Sequence, residues 1–165
     1  MSITMVDVGY ALLFIFPAYC ANVAPVIFGG GPPIDFGKVF WDGKPLFGKN
    51  KTFRGFLAGL VVGTFVGFVQ NVLFGYDILL GFMVSLGALV GDLSESFIKR
   101  RLDLPPGSSL PIADQLDFVA GALLFSLPVS PPDSLIAVLV IIIITPPIHF
   151  LMNLLANRFG VKRKK

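Results

Sequence analysis

Apolar residues in this chain gather into long unbroken runs rather than recurring on one face of a helix or strand, so whole segments are set for burial. Five runs approach the roughly 20 residues that a helix needs to cross a bilayer. They cover residues 6–28, 54–74, 78–97, 112–128 and 134–157; the fourth is short, and the fifth holds the stretch Ile141 to Ile144. Hydrocarbon offers no partner to a bare backbone amide, and barrel-like alternation is absent, so the runs are expected to be helices. The predicted architecture is an all-α integral membrane protein with five transmembrane helices in a single domain, 1–165, with loops at 29–53 and 98–111.

Composition supports this. Of 165 residues, 55% are hydrophobic and only 14% charged, against roughly 25% charged in ordinary soluble domains. The mean hydropathy is +0.82. Seventeen Phe oppose disorder. The single cysteine, Cys20, rules out a disulfide framework or a multi-Cys zinc site. Met1 to Gly9 has no Lys or Arg and includes Asp7, unlike a signal peptide, so all five runs are expected in the mature chain.

With five spans the termini lie on opposite sides. All 13 Lys and Arg then fall on one face, in the two loops, at the adjoining helix ends and in the tail Lys162-Arg163-Lys164-Lys165. The other face carries Asp7, Asp77 and Asp133 and no cation. The positive-inside rule makes the basic face cytoplasmic and the N-terminus external, in a multi-pass protein of the cell membrane. Because topology accounts for the basic bias, no nucleic-acid partner is expected.

Gly55, Gly59, Gly63 and Gly67, spaced by four, form a bare ridge for close helix packing, within the chain or between copies in a homo-oligomer. Gly87 and Gly91 repeat it weakly. Pro146-Pro147 is expected to kink the fifth helix, and the lone His149 beyond it is read as a packed residue rather than a ligand.

Carboxylates at membrane depth carry the chemistry. On a helix, Asp92, Glu95, Ser96 and Lys99 share one face, and Asp114 and Asp117 share another. Only about eleven residues separate Asp117 from Pro128, so Asp117 cannot lie far outside the bilayer. An ionised carboxylate there costs roughly 2.5–3.5 kcal/mol or more, and such groups usually face a wet cavity. Three or four carboxylates without His or Cys suit a hard divalent ion, with Mg²⁺ the natural choice. The competing reading is a structural ion-pair cluster with Lys99, Arg100 or Arg101. Upstream, a Gly29-Gly30-Gly31-Pro32-Pro33 turn region precedes Lys38, Lys44, Lys49, Asn50, Lys51, Thr52 and Arg54 at a helix start, a setting suited to several phosphates. The lysines could instead serve only topology and lipid head groups. A metal pocket facing a phosphate cradle at the membrane surface points to phosphoryl or nucleotidyl transfer onto a lipid.

Gly91-Asp92-Leu93-Ser94-Glu95-Ser96-Phe97-Ile98-Lys99-Arg100, followed by Asp114-Gln115-Leu116-Asp117, resembles the signature of CTP-dependent phosphatidate cytidylyltransferases. Lys51-Thr52-Phe53-Arg54-Gly55 is similar to that family's upstream element, and the short length and the 29–52 stretch resemble its archaeal branch, the CDP-archaeol synthases. The resemblance implies a Mg²⁺-dependent enzyme that transfers the cytidylyl group of CTP to an unsaturated archaeal ether-lipid phosphate, digeranylgeranylglyceryl phosphate, releasing pyrophosphate. It implies catalytic roles for Asp92, Asp114, Asp117, Lys99 and Arg100, with the three aspartates as metal ligands and Glu95 as a fourth candidate. Lys44, Lys49, Asn50, Lys51 and Thr52 would hold CTP, and Arg54, Glu95 and Ser96 would lie at the lipid phosphate. Another membrane-embedded lipid phosphotransferase, or a small cation channel or transporter, are the alternatives. The first lacks its Asp-Gly-x-x-Ala-Arg motif here, and the second its inverted repeats.

Overall fold

The computed structural model describes residues 4–105, 108, 110 and 112–158, without the side chains of 149 and 152–158. The tail Lys162 to Lys165 and the His149 side chain lie outside this set.

Five helices follow in order: α1 (Met5–Phe28), α2 (Phe53–Phe74), α3 (Leu80–Arg101), α4 (Ala113–Ser126) and α5 (Leu135–Arg158). Among the described residues α1, α2 and α3 are each long and apolar enough to cross a membrane. Boundaries follow local chemistry. Thr4 and Asp7 cap α1 reciprocally, Asp7 Oδ2 accepting from Thr4 N at 2.8 Å. Gly75, in the left-handed region at φ 73°, ends α2 by donating its N–H to Asn71 O. The third helix runs past the expected end at Phe97 to Arg101. Hydropathy falls at Lys99, but three cations at a helix C-terminus favour its dipole, so the helix continues beyond the apolar stretch. The fifth continues through Pro146-Pro147, where Thr145 Oγ1 donates to Ile141 O at 2.6 Å and accepts from Tyr19 of α1 at 2.8 Å.

Helix α1 touches all four others, and α3 and α4 form the most extensive pair. The core they enclose includes Phe14, Ile15, Val84, Phe118, Val119 and Ile141, all essentially inaccessible.

Backbone approach sets the helix spacings. The α2 glycine ridge is taken up inside the chain: a Cβ at Gly59 would lie 2.6 Å from Ala21 O, and one at Gly67 would collide with Gly81. The opposite face of α2 leaves Leu57, Val61, Phe65, Phe68 and Val72 exposed. Between α3 and α4, Gly87 meets the Gly121 carbonyl and Gly91 meets the Asp117 carbonyl, both too closely for any side chain. Gly91 precedes Asp92 in sequence, so the contact that joins these helices also joins their acidic residues.

Candidate active site

Loop 29–52, the α2 N-terminus, the last turns of α3 and the α4 N-terminus meet at one end of the bundle. Asp92 and Glu95 come from α3 and Asp117 from α4, and one carboxylate oxygen of each lies within 4.8 Å of the others. Lys51 enters from the loop, its Nζ 2.6 Å from both Asp92 oxygens. One turn towards the helix ends, Lys99 Nζ bridges Glu95 Oε1 at 2.5 Å and Asp114 Oδ1 at 2.6 Å, and donates to Ser108 O at 3.0 Å. Asp114 also accepts from Leu110 N at 3.0 Å.

The metal set read from the sequence is thus distributed differently in space. Glu95, not Asp114, completes the tight triad with Asp92 and Asp117. Asp114 sits beside it in a carboxylate–lysine–carboxylate bridge, because the Leu110 amide and Lys99 draw it towards the α3–α4 loop. Glu95, assigned from the resemblance to the lipid phosphate as well, lies among carboxylates and one lysine, surroundings that suit cations better than an anion. Among the described residues Asp117 forms no ion pair; its Oδ1 accepts only from Phe118 N, at 2.6 Å. Four carboxylates thus converge on two ammonium groups, Lys51 and Lys99, with Asp117 outside both ion pairs. All-oxygen, anionic donors fit a hard divalent cation.

Lys99 and Arg100 are each 6% exposed. Arg100 Nη2 donates to Pro105 O at 3.2 Å, while its Nε and Nη1 are buried without a hydrogen-bond partner among the described residues. A buried guanidinium with unused donors suits an incoming oxyanion. Ser96 is buried beside these cations on α3, and Arg54 is exposed at the α2 start.

In the loop, Thr52 caps α2: its Oγ1 accepts from Gly55 N at 3.1 Å and Gly30 N at 3.3 Å, leaving its own proton to donate. Lys49 and Asn50 are exposed just before Lys51. Lys44 is drawn away from this group. Its Nζ is 2.7 Å from Asp103 Oδ1 and donates to Arg101 O at 3.0 Å. With Arg101 Nε 2.6 Å from Asp42 Oδ2, and the Arg101 guanidinium 4.3 Å from the Phe97 ring centroid, these contacts clamp segment 40–46 onto the end of α3.

One buried acid escaped the sequence reading. Asp35, 5% exposed, accepts from Gly37 N through Oδ1, and from Phe47 N and Gly48 N through Oδ2, each at 2.9 Å. Burial alone would push its carboxyl up; the amides of Phe47, Gly48 and Gly37 more than offset this and hold it below the ordinary range. The signal was the Asp-Phe-Gly step, an Asx-turn pattern inside Ile34-Asp35-Phe36-Gly37.

A family profile described as CarS-like, CDP-archaeol synthase, matches residues 4–164. The chain belongs to the CDP-archaeol synthase family. The CDP-archaeol synthase of Pyrococcus furiosus is 49% identical over 159 residues, covering 92% of this chain and 94% of the relative. That of Methanocaldococcus jannaschii is 42% identical over 167 residues, covering 92% and 93%. A solved structure of an intramembrane enzyme for archaeal membrane lipids biosynthesis superposes with a TM-score of 0.80 at 36% identity, covering 87% of this chain and 92% of that one. In family terms, the chain is a cytidylyltransferase and a membrane protein.

Proposed function

We propose that this CDP-archaeol synthase family member transfers the cytidylyl group of CTP to an unsaturated archaeal ether-lipid phosphate, giving CDP-archaeol and pyrophosphate. The observation that carries this reading is the meeting of Lys51, at the start of α2, with the Asp92–Glu95–Asp117 triad. It joins a phosphate-binding segment to a hard-cation site within one ion pair.

In this reading Asp92, Glu95 and Asp117 hold Mg²⁺, with Asp114 beside them. An ion held there would supply neutralisation of the negative charge on the triphosphate oxygens. Lys51, Lys49, Asn50 and the Thr52 hydroxyl bind the triphosphate, aided by the positive end of α2. Lys44 acts at one remove, by holding segment 40–46 against α3. The lipid phosphate is the nucleophile. One of its oxygens forms a bond to the α-phosphorus as the bond from that phosphorus to the β-phosphate oxygen breaks, and the electron pair leaves on pyrophosphate. Since a phosphate monoester is largely deprotonated at neutral pH, no general base is required. Lys99 and the free Arg100 donors, with Ser96 and Arg54, orient and neutralise the lipid phosphate or the departing pyrophosphate.

The same reading includes five membrane crossings, an external N-terminus, and a site opening to the cytoplasm. The gathering of cations at the site end of the bundle supports it. Purified protein given CTP, Mg²⁺ and an unsaturated ether-lipid phosphate should release pyrophosphate and form the CDP-lipid. Equal turnover after chelation of divalent metal would refute the mechanism.

A further inference from the structure

We propose that Asp35 is the positioning residue that presents Lys51 to the triphosphate of CTP. The inference rests on the cytidylyltransferase reading and extends it to a residue with no contact to the reacting groups.

Loop 29–52 carries the cations assigned to the triphosphate, yet among its described residues it has no helix and only two isolated bridges, Pro33 with Thr52 and Val39 with Pro45. A segment so short of regular hydrogen bonds needs another source of order if it is to aim a long lysine side chain. Asp35 supplies it. Its carboxylate ties 35–37 to 47–48 through three backbone amides. From there the order passes directly to Lys51: Ile34 N donates to Lys51 O at 2.8 Å, and Lys51 N donates to Gly48 O at 3.2 Å. Both neighbours of Lys51 in this network, Ile34 and Gly48, are thus held by the Asp35 knot, one covalently and one by hydrogen bond. Phe36 at φ 49° and Gly48 at φ 93° both lie in the left-handed region. Glycine adopts that region freely, but Phe36 does not, and the knot holds it there. Burial without any cation partner among the described residues marks the carboxylate as an acceptor for amides, not as a surface charge.

An acid that aims one substrate's ligand should affect that substrate alone. Asp35→Asn, which keeps one carbonyl acceptor, should raise KM for CTP about tenfold, and Asp35→Ala further. The turnover number and KM for the lipid phosphate should stay within about twofold. Combined with Lys51→Ala, Asp35→Ala should add little, since both act through one side chain. Hydrogen exchange supplies a readout that needs no turnover: the Phe47, Gly48 and Lys51 amides should exchange faster in Asp35→Ala while those of α1 and α3 stay protected. Unchanged exchange at these amides would overturn the proposal. So would a fall in turnover number and Tm with an unaltered KM for CTP, or fully additive effects with Lys51→Ala. If the wild-type protein released no pyrophosphate from CTP, the cytidylyltransferase reading would fail, and the exchange measurement would still decide whether Asp35 holds Lys51.

Discussion

Lys51 Nζ lies 2.6 Å from both carboxylate oxygens of Asp92, joining residues 41 positions apart in sequence. The pair is the seam between the loop and the helical bundle, and both side chains are only a quarter exposed. An ammonium placed there competes with any other cation for Asp92. Replacing Lys51 by Met should therefore have opposite effects on the two ligands. Mn²⁺ binding without nucleotide, measured by calorimetry, should tighten several-fold, because Asp92 loses its competing cation. The value of kcat/KM for CTP should fall at least about 100-fold. Weaker metal binding in the variant would mean that Lys51 orders the carboxylates more than it opposes the ion.

Asp117 and Asp114 should separate function from stability. Asp117 has no ion-pair partner among the described residues, and an Asn can still accept from Phe118 N. Asp117→Asn should lower kcat at least about 100-fold while leaving Tm unchanged or raised, since a buried carboxyl without an ion-pair partner gives way to a neutral amide of the same shape. Asp114→Asn removes half of the Lys99 bridge and should cost about 1.5–3 kcal/mol of stability as well as activity. Thermal unfolding in detergent alongside pyrophosphate release distinguishes the two, and a destabilised Asp117→Asn would assign that carboxylate a structural role.

Gly91→Ala should damage the site without touching a charged group. Its Cβ would enter the Asp117 carbonyl, so α3 and α4 must separate just where Asp92 and Asp117 converge. Overpacking of this kind costs about 1–3 kcal/mol, and activity should fall further than stability does. Gly9→Ala, with nothing within 4 Å of the new methyl, serves as the control. Equal activity in both variants would show that helix separation does not govern the site.

Asp35 should contribute a pH-dependent part of the stability. The folded loop holds its carboxyl below the ordinary range, whereas an unfolded chain leaves it near 3.9. Its contribution is then complete above that ordinary value and is lost as pH falls through the lower, folded-state value. The Tm difference between wild type and Asp35→Asn should be full at pH 7 and shrink below about pH 4. A difference independent of pH would mean that shape rather than charge makes Asp35 useful to the loop.

Much of this molecule is legible in the order of its residues because lipid is an undemanding solvent to read. Long apolar runs have only one way to satisfy their backbone there, so the five helices, the α2 glycine ridge and the acidic stretches of α3 and α4 follow from composition and spacing. The basic segment with Lys49, Asn50, Lys51 and Thr52 at a helix start was equally local, depending on a few adjacent residues. Long-range geometry was not available in that way. Whether Glu95 or Asp114 joins Asp92 and Asp117 depends on how α3 and α4 are rotated and on the Leu110 amide that draws Asp114 aside. Lys44 looked like one more phosphate-binding cation until the fold set it against Asp103 and the end of α3. Asp35 drew no notice in the sequence, because only folding brings Phe47 and Gly48 to its second oxygen. Local hydrogen bonding and solvent preference act through neighbours along the chain, whereas the partner of a charge is chosen by whichever backbone packing brings near it, as the Gly91–Asp117 contact does for the acids of α3 and α4.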